Sequence, residues 1–244
     1  MLHISDFHTH ILPNMDDGSH SVEESIALLE LEAAQGIQTV VLTPHFYPQN
    51  ESPYDFLKRR DASVALLKGA IGERSDLPHL TVGAEVSYYL GMSQSDDLPL
   101  LALEGTDCIL IEMPPAPWPR HVWRDLRAIR EERGLTPIIA HVDRYIRPFH
   151  TYGIPRRLEE IDVLVQANGN FFIRRETERM AMKMLKKGQI HLIGSDCHNL
   201  ETRRPNVRTA AEKIERKLGR EILSRIGTVE YKILNQIDLN GVIE

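Results

Sequence analysis

Seven short apolar runs, most of them followed at once by a histidine or a carboxylate, constrain the fold of this chain more than any other feature. They fall at residues 2–7, 37–43, 80–84, 108–111, 137–140, 162–167 and 190–194 and are rich in Val, Ile and Leu. Near-continuous apolar runs of this length suit strands buried on both faces of a parallel sheet. Helical patterns lie between them. Ser21-Val-Glu-Glu24 is a capping box that opens a helix, with Gly36 just past its end. Further helices are predicted over 54–74, 121–133, 176–187 and 207–218. Alternating strands and helices imply right-handed βαβ units and a parallel sheet.

The residues that follow the runs carry the functional signal. His8 and His10 follow the first, His45 the second, Glu85 the third, Glu112 the fourth, His141 the fifth, Asn168 the sixth, and Asp196 and His198 the seventh. Successive positions are 37, 40, 27, 29, 27 and 28 residues apart, each about one βα unit. In a (β/α) barrel all strand C-termini meet on one face, where active sites are built. An open doubly wound sheet would spread the same residues along an edge. The predicted fold is therefore α/β, a distorted (β/α)7 TIM-like barrel, with residues 1–244 as a single domain. The proline-rich stretch 113–120, with Trp118, is expected to form a rigid loop over the barrel mouth, and the segment after Arg208 to form closing helices.

Composition excludes several function classes. The net charge of −6 argues against bulk electrostatic binding of nucleic acid. Two cysteines are too few for a disulfide framework. The start MLHISDFHTH lacks the basic and apolar regions of a signal peptide, and no apolar run approaches the roughly 20 residues of a membrane span. A cytoplasmic protein without direct membrane insertion is expected.

His8 and His10, at i and i+2 on a strand end, can point into one cavity. With His45, His141, His198, Asp17, Glu85, Glu112 and Asp196 they make five histidines and four carboxylates. Any one of these alone is more often a capping or hydrogen-bonding group; their joint placement at strand ends argues for metal binding. Imidazole and carboxylate without thiolate suit Zn²⁺, Mn²⁺ or Fe²⁺ in a non-structural site. Nine ligands, one of them bridging, suit two or three ions. The other six histidines (His3, His20, His79, His121, His150, His191) are expected to be structural or at the surface.

His8-Thr-His10, Asp16-Asp17-Gly18, Thr43-Pro-His45, Gly83-Ala-Glu85, Ile111-Glu112, Ala140-His141 with Arg144, and Ser195-Asp-Cys-His198 together resemble the PHP (polymerase and histidinol phosphatase) superfamily. Within it they resemble the metal-dependent bacterial protein tyrosine phosphatases of capsule and exopolysaccharide biosynthesis. The resemblance implies a distorted (β/α)7 barrel holding divalent ions, manganese first, with iron, cobalt or zinc as alternatives. It implies one ion on His8, His10, Glu85 and Asp196, and a second on Glu85, Glu112 and His141. A third would sit on Asp17, His45 and His198, with Asp16 as the alternative to Asp17. Arg144 and Arg203 correspond to phosphate-binding arginines, with Arg204 competing for the second role.

The implied chemistry is attack of a metal-bound hydroxide on the phosphorus of phosphotyrosine. The implied partner is a phosphotyrosine-bearing protein, the tail of a bacterial tyrosine kinase that controls polysaccharide export. A small-molecule phosphomonoesterase of the histidinol phosphatase type is the alternative, and a polymerase-associated nuclease or a non-catalytic binding scaffold stand behind it. Cys197 to Arg203 also satisfies the Cys-x5-Arg spacing of cysteine-dependent tyrosine phosphatases, but Asp196 and Glu201 beside the thiol and the lack of glycine in the loop argue for coincidence. Finally, residues 144–208 hold 13 Lys/Arg against 7 Asp/Glu, a basic sector suited to steering an anionic tail.

Overall fold

The strands form where the apolar runs predict them, all pairing in parallel, but the second and third runs are each followed by a further short strand. In a computed structural model, which describes residues 4–146 and 153–239, β1 spans Ser5–Thr9 and is followed by α1 (Val22–Ala34). Ser21 caps α1 by accepting the Glu24 N–H, while Glu24 reaches back to the His20 N–H. The second run gives β2 (Thr39–Leu42), and past Pro44, which has no N–H to continue a ladder, lies β3 (His45–Phe46). After α2 (Pro53–Ile71), the third run gives β4 (His79–Val82), which stops at Gly83-Ala84, and β5 (Glu85–Ser87) follows. A Cβ on Gly83 would stand 2.3 Å from a Leu103 methyl, so a side chain at that break would displace Leu103.

The remaining elements are β6 (Cys108–Glu112), α3 (Arg120–Arg133), β7 (Thr136–Ile139), α4 (Asp143–Ile146), α5 (Ile154–Glu159), β8 (Leu164–Asn168), α6 (Gly169–Ile173), α7 (Arg175–Lys186), β9 (Leu192–Gly194), α8 (Val207–Leu218) and α9 (Arg220–Leu234). The ladders run β1-β2-β4 and β3-β5-β6-β7-β8-β9. A parallel bridge between Thr9 and Cys197 joins the ends, with the His10 N–H donating to the Cys197 carbonyl at 2.9 Å and the Asp196 N–H to the His8 carbonyl at 2.8 Å. The result is an α/β fold on a curled parallel sheet, laddered as two groups of strands and not as one uninterrupted barrel. The start of the first predicted strand, His3 and His150 lie outside the described residues.

Alternation along the strands separates two cores. Val41, Cys108, Leu110, Ile138, Leu164 and Leu192 pack together inside the curl. Their neighbours Val40, Leu42, Ile109, Ile139, Val165 and Ile193 face outward under the helices. Val229 and Ile233 of α9 join the inner core, so the tail closes one end of the curl, as expected for the segment after Arg208. Among the described residues no helix is long and apolar enough to cross a membrane.

Candidate metal centre

Following the inward face toward the strand C-termini, apolar side chains give way to chelating ones. Two residues beyond Leu110 is Glu112, two beyond Leu164 is Gln166, and two beyond Leu192 is Gly194, then Asp196. In β1 the register shifts between Asp6 and Thr9, inserting an extra residue against β2. Such a bulge re-aims side chains; here it lets Phe7 serve the inner core while adjacent His8 serves the centre. His141 and Asp196 adopt left-handed backbone, with φ of 30° and 55°. Such strained positions concentrate at functional sites.

Glu85, fully buried, is the hub. Its Oε1 lies 2.7 Å from His141 Nε2. Its Oε2 lies 3.1 Å from His8 Nε2, 3.3 Å from His10 Nε2 and 3.0 Å from His45 Nδ1. Asp196 Oδ1 stands 3.8 Å from His8 Nε2 and 3.5 Å from His10 Nε2. Asp17 Oδ1 is 3.5 Å from His45 Nε2 and 3.3 Å from His198 Nε2. Glu112 is more peripheral, 3.8 Å from His141 Nε2. The nine predicted ligand residues thus come together, in overlapping groups whose ligand atoms all lie within 4.8 Å of one another: His8, His10 and Asp196; His8, Glu85 and His141; His45, Glu85 and Glu112; and His10, Asp17, His45 and His198.

The surrounding hydrogen bonds set the ring tautomers. His8 Nδ1 lies 3.3 Å from Gln166 Oε1, an atom that also accepts the His141 N–H at 2.5 Å and so can only be an acceptor. His10 Nδ1 lies 2.7 Å from Asp16 Oδ2, and His198 Nδ1 lies 3.0 Å from the Asp196 carbonyl. Each of these Nδ1 atoms carries a proton, which leaves each Nε2 as a bare lone pair turned into the centre. The Nε2 atoms of His8 and His10 are only 3.1 Å apart and both face a carboxylate oxygen. Lone pairs at that spacing repel unless a cation or a proton lies between them. Among the described residues, Glu85 Oε2, His45 Nδ1 and His198 Nε2 are buried within the cluster without a hydrogen bond of proper geometry. The donor set therefore fits divalent ions held by nitrogen and oxygen. Burial disfavours a charged His10, but Asp16 and Glu85 outweigh it and push the ring up to about 10, so the pocket attracts positive charge.

Asp16 and Asp17 separate by environment. Both Asp16 oxygens are engaged, Oδ2 by His10 and the His45 N–H at 2.8 Å and Oδ1 by the Gly18 N–H at 2.9 Å. Burial opposes its charge, yet His10 and the two amides hold its carboxyl well below the usual carboxylate range. It orients His10, whereas Asp17 faces His45 and His198 with neither oxygen in a hydrogen bond among the described residues. Outer partners of this kind fix ligand rings in metal sites.

Arg144 reaches Asp196 Oδ2 in a short charge-assisted bond, and Arg203 reaches Asp196 Oδ1 at 2.7 Å and Asp17 Oδ2 at 3.5 Å. Arg204 is exposed, and among the described residues no hydrogen bond or ion pair links it to the centre. Asn168 holds the cluster's Asp196, its Nδ2 donating to Oδ2 at 2.9 Å. Trp118 is buried, not an open flap: it packs edge-on against Tyr145, 5.4 Å between centroids, and the Tyr145 hydroxyl lies 3.0 Å from His141 Nδ1. Cys197 points away from the centre toward Asp6 and Glu32. Burial, with those two carboxyls, pushes its thiol well up, the opposite of what a nucleophilic cysteine needs.

Sequence reasoning missed Gln166, Asp16 and Tyr145 as supports. Gln166 alone left a readable signal, a polar residue at an inward position of an otherwise apolar run.

Comparison with known proteins agrees with this geometry. The family of capsular polysaccharide synthesis proteins CpsB/CapC matches residues 4–234. Tyrosine-protein phosphatase YwqE of Bacillus subtilis (strain 168) is 31% identical over 230 residues, covering 89% of this chain and 86% of the relative. Tyrosine-protein phosphatase CpsB of Streptococcus pneumoniae is 28% identical over 229 residues, covering 88% and 90%. Among solved structures, one from a study of YwqE of Bacillus subtilis and CpsB of Streptococcus pneumoniae, described as unique metal-dependent tyrosine phosphatases, covers 96% of each chain with a TM-score of 0.85 at 25% identity. The chain belongs to the CpsB/CapC family of capsular polysaccharide synthesis.

Proposed function

We propose that this protein is a metal-dependent protein tyrosine phosphatase acting in the cytoplasm on a phosphotyrosine-bearing protein, the tail of a bacterial tyrosine kinase of capsule or exopolysaccharide production. The observation that carries the reading is the convergence of five imidazoles and four carboxylates, four of the imidazoles directly against Glu85, with two arginines at the rim. The names of the relatives support it. We take the curled sheet as a distorted (β/α)7 barrel formed by one domain, a view supported by the Thr9–Cys197 bridge between first and last strands.

In this reading His8, His10, Glu85 and Asp196 hold one divalent ion, Glu85, Glu112 and His141 a second, and Asp17, His45 and His198 a third, manganese being the first choice. Bound divalent ions supply the positive charge that activates water near neutral pH and offsets charge on the phosphoryl oxygens. The guanidinium groups of Arg144 and Arg203 stand at the rim, 41% and 34% exposed, and grip phosphoryl oxygens with paired N–H donors. The Nδ1 partners Gln166, Asp16 and Tyr145 keep the rings from turning. A phenolate leaving group, with a parent pKa of about 10, departs without a strong general acid. That favours phosphotyrosine over alkyl phosphates. Phosphate release from a phosphotyrosine peptide, compared with a phosphoserine peptide and histidinol phosphate, tests the reading. Preference for phosphotyrosine, lost in Glu85→Ala along with bound metal, is expected. Preference for histidinol phosphate, or an active and metal-replete Glu85→Ala variant, refutes it.

A further inference from the structure

On the flank of the molecule a groove of about 880 Å³ runs between α5 and α7. Its floor is apolar, built in part from Met180 and Met184, and its rim carries Arg156, Arg179, Lys183 and Lys187 against a single acid, Glu159. Arg179, Lys183 and Lys187 follow one another at i, i+4 and i+8, so three like charges line one face of α7 and its end. Like charges at this spacing destabilise a helix. Nothing in the described residues relieves them: none of the four rim cations makes an ion pair. Glu176, three residues before Arg179, forms no ion pair among the described residues, and Glu178 is taken by Lys213 at 2.6 Å and Lys217 at 3.2 Å, both from α8. The groove and the Arg144 rim of the metal centre share the short helix α4. Ile146, which lines it, is two residues beyond Arg144 on α4.

We infer that this groove is a docking site for an acidic stretch of polypeptide flanking the phosphorylated tyrosine of the substrate. The inference rests on the phosphatase reading and deepens it. An uncompensated row of cations over an apolar floor matches a chain that alternates carboxylates with apolar side chains. Eight residues of helix span about 12 Å, the length of about four extended residues. Rim charges of this kind act mainly on encounter and on KM and are screened by salt.

The test compares two phosphotyrosine peptides of equal length, one with four flanking Asp/Glu residues and one with Gln in their place. They are given to the metal-loaded wild-type protein and to a Lys183→Ala/Lys187→Ala variant. Both lysines are exposed and remote from the ligand set, so the variant keeps its turnover of the neutral peptide. The wild type is expected to show a lower KM for the acidic peptide. The double variant should lose that advantage by about five-fold in KM, the scale of two exposed charge pairs, with kcat unchanged. Raising NaCl should erase the difference in the wild type. Equal KM values for the two peptides in the wild type, or an undiminished advantage in the variant, would overturn the docking site. Binding of the unphosphorylated acidic peptide, followed by fluorescence anisotropy, separates the two claims. If the wild type hydrolyses neither peptide yet binds the acidic one and the variant does not, the phosphatase reading fails and the acidic-segment groove stands. Tight binding of phosphatidylglycerol vesicles or single-stranded RNA, with no affinity for the acidic peptide, would assign the groove to a different anion and refute the proposal.

Discussion

Replacing Gln166 with leucine tests whether the centre depends on residues that hold its ligands. The side chain is fully buried, and its Oε1 takes both the His8 Nδ1 proton at 3.3 Å and the His141 N–H at 2.5 Å. Leucine has nearly the same volume but no acceptor, so two buried N–H groups would be stranded. At about 1–3 kcal/mol for each unsatisfied group, the variant should lose about 2–6 kcal/mol of stability. The second consequence concerns metal. Without its Nδ1 acceptor His8 can turn or change tautomer, and loss of such an outer partner weakens metal binding by about 10–100-fold. Chelator competition, with metal content read by mass spectrometry, measures this directly. Gln166→Glu keeps the acceptor and controls for shape, and its affinity should lie nearer the wild type. A folded Gln166→Leu variant that holds metal as tightly as the wild type would refute the assignment of His8 and His141 as ligands braced by this residue.

Cys197→Ser should retain near wild-type phosphatase activity, because the thiol faces Asp6 and Glu32 rather than the centre; loss of activity with metal content and stability intact would revive a cysteine mechanism. Gly194→Ala should cut metal occupancy and cost about 1–3 kcal/mol, since its Cβ would stand 2.5 Å from His8 Cβ and 3.0 Å from the His8 nitrogen; an unchanged melting temperature and metal content would contradict that crowding. Glu230, buried on α9 and accepting the Ser5 N–H at 3.2 Å, has its carboxyl pushed up to about 8, chiefly by burial and further by Asp6. Its folded-state pKa lies above the ordinary 4.5, so the folded protein keeps this proton where the unfolded chain has released it. The favourable contribution is complete below pH 4.5 and is lost as pH rises through about 8. Glu230→Gln removes that dependence, so its melting temperature relative to wild type should climb between pH 5 and pH 8, by a few kcal/mol in stability at about 1.4 kcal/mol per unit; parallel curves would refute it.

The ligand cluster was legible because a parallel α/β fold delivers every strand end to one face. A histidine or carboxylate after each apolar run therefore reads as a ring before any contact is known. His8 and His10 followed from the period of two alone. What the sequence hid depends on partners distant in the chain. The bulge in β1 exists only against β2, and the short strands β3 and β5, beyond the second and third runs, show only in the pairing. Asp16 and Asp17 are chemically equal neighbours, and the Gly18 turn decides which one faces His10. Glu32 shares the buried Leu28-Leu29 face of α1, where a carboxylate is out of place by residue type, and is fully buried against Asp6 and Cys197. Arg203 and Arg204 likewise differ only in direction, one toward Asp196 and one toward solvent.

The most direct test is phosphate release from a phosphotyrosine peptide by protein stripped with chelator, before and after Mn²⁺ is returned. The account predicts that activity disappears on stripping and returns with the metal. It predicts the same cycle in Cys197→Ser and none in Glu85→Ala. Activity that survives complete removal of metal would contradict it.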